Sequence, residues 1–395
     1  MQQAFYICVF FFFLFTSCGG KLADKQVLEA KAEVVIPEFP QDIPFETGMD
    51  REQEVLLSQI ARKVEYIPLE TRLECLIQKP RGFVQYVGGN YIIPCSQVVY
   101  MFDGTGKFIR QIGSHGGGPA EYNNIFSMDA DAKNGQLYLQ TIRKQNVYTL
   151  AGDYVKNLPI PDVDKVAKLN DSLYVAYIHN STGQRKERLL LLNGKGDTIR
   201  TFPNYDFFKV EKNRSFMMMS PNDRYLLRYK DNLCFKDYYN DTLFTVTEKE
   251  LLPRYILQLG KYHIPVESRW ENMNFDWKRF EREASKYLRV NVLETDHYVF
   301  MPYIHWTENK KTGLVIYDKD KKTCFRAKDI RIPNDMEGGI PLEPYTSIGD
   351  NTLLTLWTPA EIMELAEKDP SILKHDKLKN LKEDDNPVLM IVHLK

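Results

Sequence analysis

Residues 98–113 contain the sequence VVYMFDGTGKFIRQIG, in which two apolar runs flank the turn Asp-Gly-Thr-Gly at 103–106. A tight turn between two β-strands requires backbone conformations with positive φ, and Gly, Asn and Asp tolerate these best. The same pattern returns three times along the chain. The repeats are NVYTLAGDYVKNLPI (146–160), RLLLLNGKGDTIRTF (188–202) and GLVIYDKDKKTCFRAKDI (313–330). The sequence therefore predicts a series of β-hairpins.

A second element accompanies the hairpins: a short polar turn that leads into an aromatic or β-branched strand. It occurs six times, at residues 88–90, 134–135, 170–171, 222–223, 295–296 and 349–350. Regular recurrence of such strand pairs is the sequence signature of a propeller. Two packed sheets can also contain regular short strands, but the fixed order of both elements favours blades. We therefore predict an all-β protein with a six-bladed β-propeller over residues 53–395.

Strand-like segments at the two ends of this region predict how the ring closes. Residues 64–69 and 387–394 both have the pattern of strands, and pairing them in one blade would leave no open sheet edge. Two stretches depart from the strand pattern, residues 267–288 and 359–381, and both have apolar side chains at helical spacing. We interpret them as short helical insertions packed on the rim; the alternative is a lid or partner helix.

The N-terminus has the features of an export signal. Residues 4–15 form an uncharged apolar run that is too short for a membrane-spanning helix but typical of a secretory signal. Small residues then precede Cys18, and this arrangement resembles the lipobox of bacterial lipoproteins, although Phe15 stands where Leu is usual. The resemblance implies a signal peptide over residues 1–17 and acylation of Cys18. Residues 18–52 are polar and contain three prolines, which predicts a flexible tether.

Four segments resemble the six-bladed β-propeller lipoproteins of gut Bacteroidetes, which are distantly similar to NHL-repeat propellers. They are VEYIPLET (64–71), IGSHGGGPAEY (112–122), YNDTLFTV (239–246) and NPVLMIVHLK (386–395). The resemblance covers about residues 55–395, with Ala120 where the family more often has Gly. It implies a protein lipid-anchored to the outer membrane. Surface-exported members often have acidic residues soon after the acylated Cys, and residues 19–24 (GGKLAD), with one acidic residue, match this pattern poorly. The periplasmic face is therefore favoured over the cell surface.

Charge and cysteine content exclude several classes of function. Lys and Arg number 52 against 53 Asp and Glu, so the chain lacks the basic excess of a nucleic-acid-binding protein. Beyond the export segment, the cysteines show no CxxC spacing and the histidines no metal-binding spacing, so we expect no metal site and no cofactor. Whether the cysteines pair in disulfides stays open at this stage; they are Cys75, Cys95, Cys234 and Cys324.

The Gly-rich segment 113–122 is the most distinctive local feature. It lacks the Gly-Lys-Ser/Thr of a P-loop and the helix of a dinucleotide fingerprint. One interpretation places His115, Glu121 and Tyr122 near the central opening as ligand-binding residues; the other is a tight crossing between blades that needs glycine. His305 and Trp306 could line a pocket, and Arg143, which follows a predicted strand, is a further candidate for ligand binding. No catalytic residue is identified.

Three functions remain compatible with these features. The first is a membrane-anchored binding module for a glycan, a peptide or a protein partner, of unknown oligomeric state. The second is a hydrolase or lyase with its active site in the central channel. The third is a scaffold without a small ligand. Propellers perform all such functions, so the fold does not choose among them.

Overall fold

Six small sheets, arranged in a ring, make up the fold. The computed structural model describes residues 38–78, 80, 84–95, 97–209, 224–266, 268, 277–306 and 312–395. Each sheet forms one blade, in which four strands lie side by side from the centre of the ring outward and pair with their neighbours in antiparallel order. The predicted all-β, six-bladed propeller is therefore confirmed.

The described chain begins with elements that lie outside the repeating pattern. In chain order they are β1 (Gln41–Ile43), α1 (Phe45–Met49), β2 (Glu52–Gln53), α2 (Leu57–Ile60) and β3 (Ala61–Pro68). A short 3₁₀ helix, Leu73–Cys75, leads from β3 to the first blade.

Blades 1 to 3 follow. Blade 1 contains β4 (Gln85–Val87), β5 (Asn90–Pro94), β6 (Val99–Asp103) and β7 (Phe108–Gln111). Two short paired strands come next, β8 (Ser114–His115) and β9 (Glu121–Tyr122). Blade 2 contains β10 (Ser127–Asp131), β11 (Gln136–Thr141), β12 (Lys144–Thr149) and β13 (Tyr154–Pro159). Blade 3 contains β14 (Lys165–Lys168), β15 (Tyr174–Tyr177), β16 (Glu187–Leu192) and β17 (Thr198–Pro203).

Blades 4 to 6 complete the ring. Blade 4 contains β18 (Leu226–Tyr229), β19 (Asn232–Lys236), β20 (Thr242–Val246) and β21 (Leu251–Leu257). A 3₁₀ helix, Gly260–Tyr262, and α3 (Trp277–Ala284) precede blade 5. Blade 5 contains β22 (Leu288–Val290), β23 (Leu293–Glu294), β24 (Tyr298–His305), β25 (Thr312–Asp318) and β26 (Thr323–Ala327). Blade 6 contains β27 (Thr346–Ser347), β28 (Thr352–Trp357) and β29 (Val388–Leu394), with α4 (Pro359–Lys368) and the 3₁₀ helix Ile372–Lys374 inserted between β28 and β29.

The ring closes through its two chain ends, as predicted. Strand β3, from the N-terminal side, pairs with β29 and forms the outermost strand of blade 6. Val64 lies opposite Val392 and Tyr66 opposite Met390 in this antiparallel register. The last blade is thus built from both ends of the propeller sequence, which leaves no open edge at the closure.

The tether ends earlier than residue 52. Strand β1 pairs in parallel with β21 at the outer edge of blade 4, and β2 pairs in parallel with β26 of blade 5. Ile43, the last residue of β1, and Phe45, the first residue of α1, are fully buried. The prediction missed these elements because two or three residues of strand do not produce a periodic pattern. The signal peptide (1–17), Cys18 and most of the expected tether lie outside the described residues.

Each of the six polar turns precedes a strand of the propeller in the sequence, but one of them precedes a different strand of its blade from the other five. Five of the six lead into the second strand of a blade, whereas the turn at 222–223 precedes β18, the innermost strand of blade 4. Its own two residues lie outside the described part of the chain. In blade 4 the predicted polar turn therefore comes one strand earlier than in the other blades.

Strands of adjacent blades bury both of their faces. In β16, Leu189 and Leu191 pack toward blade 4, while Leu190 and Leu192 pack toward blade 2. A strand that is covered on both faces needs a continuous apolar run instead of an alternating one. Helix α4 adds to the core between blades 5 and 6, because Ile362 and Ala366 are buried against residues of these blades. The rim interpretation of residues 359–381 is thus confirmed.

Candidate functional site

The six innermost strands surround a central channel. They are β4, β10, β14, β18, the broken strand β22–β23, and β27, and each comes first in its blade. They therefore start at the same end of the ring. We call this end the mouth, where Phe126, just before β10, has a side chain that is 39% exposed.

The channel encloses a cavity of about 180 Å³, which is lined by residues at the mouth, such as Phe126, and by residues at the far ends of the innermost strands, such as Tyr229. All six blades contribute to its wall. The polar lining side chains are those of Gln85, Ser127, Asp129, Lys165, Arg224, Arg228, Glu294, Thr346 and Ser347. This convergence of polar groups from strands far apart in sequence marks the channel as the candidate site.

Arg228 crosses the channel from blade 4 to blade 2. Its Nε and terminal nitrogen donate to the two carboxylate oxygens of Asp129 at 3.2 and 2.7 Å. Arg228 also donates to the main-chain carbonyl of Lys168, whose own amide donates to Asp129 at 2.9 Å. Although burial lowers the pKa of Arg228, the charge of Asp129 raises it above its usual value. The pair therefore holds three blades together around the channel.

Arg224 extends in the other direction. It lies two residues before β18, and a terminal nitrogen donates to the Thr346 hydroxyl of blade 6 at 2.6 Å. Burial lowers the pKa of its guanidinium to about 10. On the neighbouring blade 3, the Lys165 ammonium donates to the carbonyl of Phe126 at 2.7 Å. Two cations thus line the half of the cavity nearest the mouth.

Glu294 is the second carboxylate of the cavity, and cations surround it. Arg254 donates to its two oxygens at 2.6 and 2.7 Å. The Tyr255 hydroxyl and the Lys319 ammonium both donate to Oε1 at 3.0 Å. The Arg254 guanidinium in turn lies 4.3 Å from the ring centre of Phe39, one of the first described residues. This carboxylate is therefore part of an interblade network.

Between blades 4 and 5 the cavity wall is apolar. Leu227, Leu243 and Val292 line it there, together with the thiol of Cys234. Burial raises the pKa of this thiol to about 12, so it is protonated at neutral pH. The cavity thus combines a polar half with an apolar side.

The Gly-rich segment forms the crossing between blades 1 and 2. Tyr122 is fully buried there; its hydroxyl donates to the carbonyl of Ile112 at 2.7 Å and accepts from the amide of Val99 at 3.1 Å. The Glu121 carboxylate accepts from the amide of Gly118 at 2.8 Å, and His115 is exposed. The structure therefore places these three predicted site residues away from the cavity lining.

The other predicted residues also lie elsewhere. Arg143 occupies the turn between β11 and β12 with a φ of 57°, and its exposed guanidinium is 3.8 Å from Asp162. Trp306 is fully buried with Phe208, Ile264 and other residues beneath the α3 region. His305 bonds through Nδ1 to the carbonyl of Ser285 at 2.6 Å. None of these side chains lines the cavity, and Cys18 lies outside the described residues.

The innermost strands of the blades could not be recognised from the hydrophobic pattern of the sequence. SMDAD (127–131), KVAK (165–168) and LLRY (226–229) are short and contain charges, so their pattern is not that of buried strands. The position of these segments in the sequence could have identified them, because two of the three lie immediately before a polar turn and the third lies after one. Charged residues in the first strands of blades are therefore candidates for the channel. Asp129, Lys165 and Arg228 do line the cavity, whereas Asp131 and Lys168 of the same strands pair with each other.

The described part of the chain contains no cluster of three or more His, Cys, Asp or Glu side chains able to hold a metal ion. No helix there is both long and apolar enough to cross a membrane. Cys75, Cys95, Cys234 and Cys324 are buried, and no two of them form a disulfide bond.

Comparisons with known proteins agree with this architecture. The family model for a domain of unknown function, DUF4934, matches residues 40–393. A "putative exported protein" from Bacteroides fragilis NCTC 9343 is similar in structure, with a TM-score of 0.70 and 18% identity over 90% of this chain and 100% of that chain. A DUF4221 family member from Bacteroides vulgatus ATCC 8482 has a TM-score of 0.50 and 12% identity over 85% and 97% of the two chains. No curated protein matches the sequence.

Proposed function

We propose that this chain, which belongs to the DUF4934 family of domains of unknown function, is an exported binding module whose ligand occupies the central channel. The observation that supports this proposal is the cavity, to which all six blades contribute polar side chains. Such convergence on one concave site is typical of ligand recognition.

The state of the two carboxylates favours binding over hydrolysis or elimination. A general acid or base needs an oxygen that can reach the proton of a substrate. In the cavity, Asp129 is held at two points by Arg228, and Glu294 by Arg254 and Lys319. Both are therefore occupied as parts of the framework.

The volume of the cavity limits the ligand. Pockets for drug-sized molecules measure about 300–1,000 Å³, whereas a cavity of about 150 Å³ accommodates a benzene ring. At about 180 Å³, the channel has room for one ring-sized group. That group is either a small molecule or the end of a larger ligand.

Export and lipidation complete the proposal. The apolar run at 4–15 and the small residues before Cys18 support acylation of this thiol and attachment to the outer membrane, on its periplasmic face. The similar B. fragilis structure is also named as exported.

A ligand screen with two tryptophan variants tests the binding function. The full chain in detergent is screened by thermal shift against glycan fragments, peptides and small acids; a ligand at about a hundred times its Kd stabilises by about 2.7 kcal/mol. Gln85→Trp fills the channel and should abolish the shift, whereas Gln111→Trp, on the exposed outer strand of the same blade, should retain it. Equal shifts in both variants would place the ligand outside the channel.

Lipidation is tested separately. Cys18→Ala should lose incorporation of labelled fatty acid and release the protein from membranes, because stable anchoring needs two or more acyl chains. A variant that remains labelled and membrane-bound would show that Cys18 is not the attachment site.

A further inference from the structure

The two carboxylates of the cavity lining are each paired with cations of the protein. Asp129 accepts two hydrogen bonds from Arg228, at 3.2 and 2.7 Å. Glu294 accepts two from Arg254, at 2.6 and 2.7 Å, and one from Lys319 at 3.0 Å. Because an unpaired buried charge is costly, a cationic ligand would have to compete with these side chains for either carboxylate.

The other cations of the lining are also bound to groups of the protein. The Lys165 ammonium donates to the Phe126 carbonyl at 2.7 Å. The Arg224 guanidinium donates to the Thr346 hydroxyl at 2.6 Å. Both side chains take part in further interactions within the protein. An anionic ligand would therefore lose its hydration in the cavity and would have to compete with partners that these cations already have.

The apolar residues of the lining, in contrast, form one continuous wall. Leu243, Val292 and Cys234 belong to the same buried cluster between blades 4 and 5, and each is at most 3% exposed. Leu227 packs against this cluster from β18. All four residues line the cavity. The largest surface that the cavity offers without displacing an existing partner is therefore apolar.

We propose that the channel binds an uncharged ring whose apolar face packs on Leu227, Leu243 and Val292. This inference rests on the proposed binding function and adds the chemical class of the ligand. Burial of apolar surface from both molecules supplies the affinity, in proportion to the area that is removed from water. Gln85 and Ser347 line the same cavity and carry uncharged groups that can bond to a hydroxyl at the edge of the ring.

The size and chemistry of the wall narrow this class further. At about 180 Å³, the cavity is slightly larger than the volume of about 150 Å³ that accommodates benzene. A ring with hydroxyl groups on all sides, such as a sugar, would turn some of them toward the side chains of Leu243 and Val292. These side chains have no hydrogen-bonding groups, so the hydroxyls would lose bonds to water without replacement. The ligand is therefore expected to be apolar on at least one face.

Four ring compounds of similar size test the chemical class. The full chain in detergent is titrated by calorimetry with benzyl alcohol, benzoate, benzylammonium and xylose. Benzyl alcohol should bind about tenfold or more tightly than each of the other three, and added salt should leave its affinity unchanged. A charged compound or xylose that binds as tightly as benzyl alcohol would overturn the proposed class.

Two buried cysteines report whether the ring occupies the cavity. Cys234 and Cys324 are both 2% exposed, and burial raises the pKa of each thiol to about 12. Cys234 lines the cavity, whereas Cys324 lies beside Gly48 of α1. Saturating benzyl alcohol should slow the reaction of Cys234 with methyl methanethiosulfonate at least about fivefold relative to Cys324, as measured by peptide mass spectrometry. Equal changes at the two thiols would show that the ring binds elsewhere.

A pair of Val→Thr substitutions tests the wall itself. Val292→Thr keeps the shape of the side chain but places a hydroxyl in the wall, which should weaken benzyl alcohol binding about threefold or more. The control is Val155→Thr, on the outer strand of blade 2, where the side chain is 42% exposed and the affinity should not change. Equal affinities of the two variants would overturn the assignment of the ring to this wall.

The outcomes separate the chemical class from the binding function. If a charged compound binds and Gln85→Trp abolishes its binding, the channel is a binding site and only the uncharged class is wrong. If none of the four compounds binds, the proposed class is also overturned, and the wider screen alone decides the binding function.

Discussion

Arg228 and Asp129 lie 99 positions apart in the sequence and meet across the channel through two hydrogen bonds of 3.2 and 2.7 Å. They belong to blades 4 and 2, so the pair spans the inner edge of blade 3. Because the Asp129 carboxylate is only 8% exposed, its charge depends on this partner for compensation. The pair thus acts both as a brace of the ring and as part of the cavity wall.

Removing the carboxylate should destabilise the ring. Asp129→Ala leaves Arg228 without its anion and takes an acceptor from the amide of Lys168. Breaking a buried pair costs about 3–5 kcal/mol, and we expect about 2–3 kcal/mol here because the Arg228 side chain is 39% exposed. Urea unfolding measures the change.

The control for this variant is Lys379→Ala, which removes an exposed ion pair with Asp376 at 2.9 Å. It should change the unfolding free energy by less than about 0.5 kcal/mol. Equal effects of the two substitutions would show that the channel pair contributes no more than a surface pair.

Ring closure predicts cooperative unfolding that depends on both chain ends. Deleting residues 386–395 removes β29, the strand that lies between β28 and β3 and joins the N-terminal strand β3 to blade 6. The truncated chain should lose its single sharp melting transition, whereas removal of the exposed Lys395 alone should preserve it. A sharp transition at the original temperature in the truncated protein would mean that the blades hold together without closure.

The hairpins and the closure could be predicted from sequence because they depend on local patterns. Turn residues at 103–106 and continuous apolar runs such as 189–192 reflect constraints that act within a few residues. The cavity could not be predicted in this way. Asp129, Arg224 and Glu294 line one cavity only because blades far apart in sequence form a ring, and no spacing in the sequence encodes that arrangement. The Gly-rich segment attracted attention for its composition, yet glycine there serves the close packing of Gly113 against Tyr122 and Tyr148.

The buried Lys236 predicts a pH dependence above neutrality. Its ammonium donates to the carbonyls of Asp237 and Asn240 at 2.5 and 2.6 Å, and burial lowers its pKa to about 8. A lysine in the unfolded chain titrates near 10.4, so between these values the unfolded state binds more protons and the lysine contributes a rise in stability with pH. We expect this rise to be larger in the unmodified protein than in Lys236→Met. The measurement is the unfolding free energy of both proteins at about pH 7.5 and about pH 9.5; parallel changes in the two would contradict the prediction.

The last prediction concerns the contact between the N-terminal strand and blade 1. Gly106 has a φ of +88°, and a Cβ there would lie 2.4 Å from the carbonyl oxygen of Pro68 at the end of β3. Gly135 has a similar requirement, with a φ of +61°, but a Cβ there meets no atom within 4 Å. Both substitutions to Ala carry the cost of positive φ, about 1–2 kcal/mol, and only Gly106→Ala adds a clash with main-chain atoms, which costs about 1–3 kcal/mol more. In urea unfolding, Gly106→Ala should therefore be the more destabilising of the two. If the two variants were equally stable, β3 would not be held against this turn, and the closing strand would depend on β29 alone.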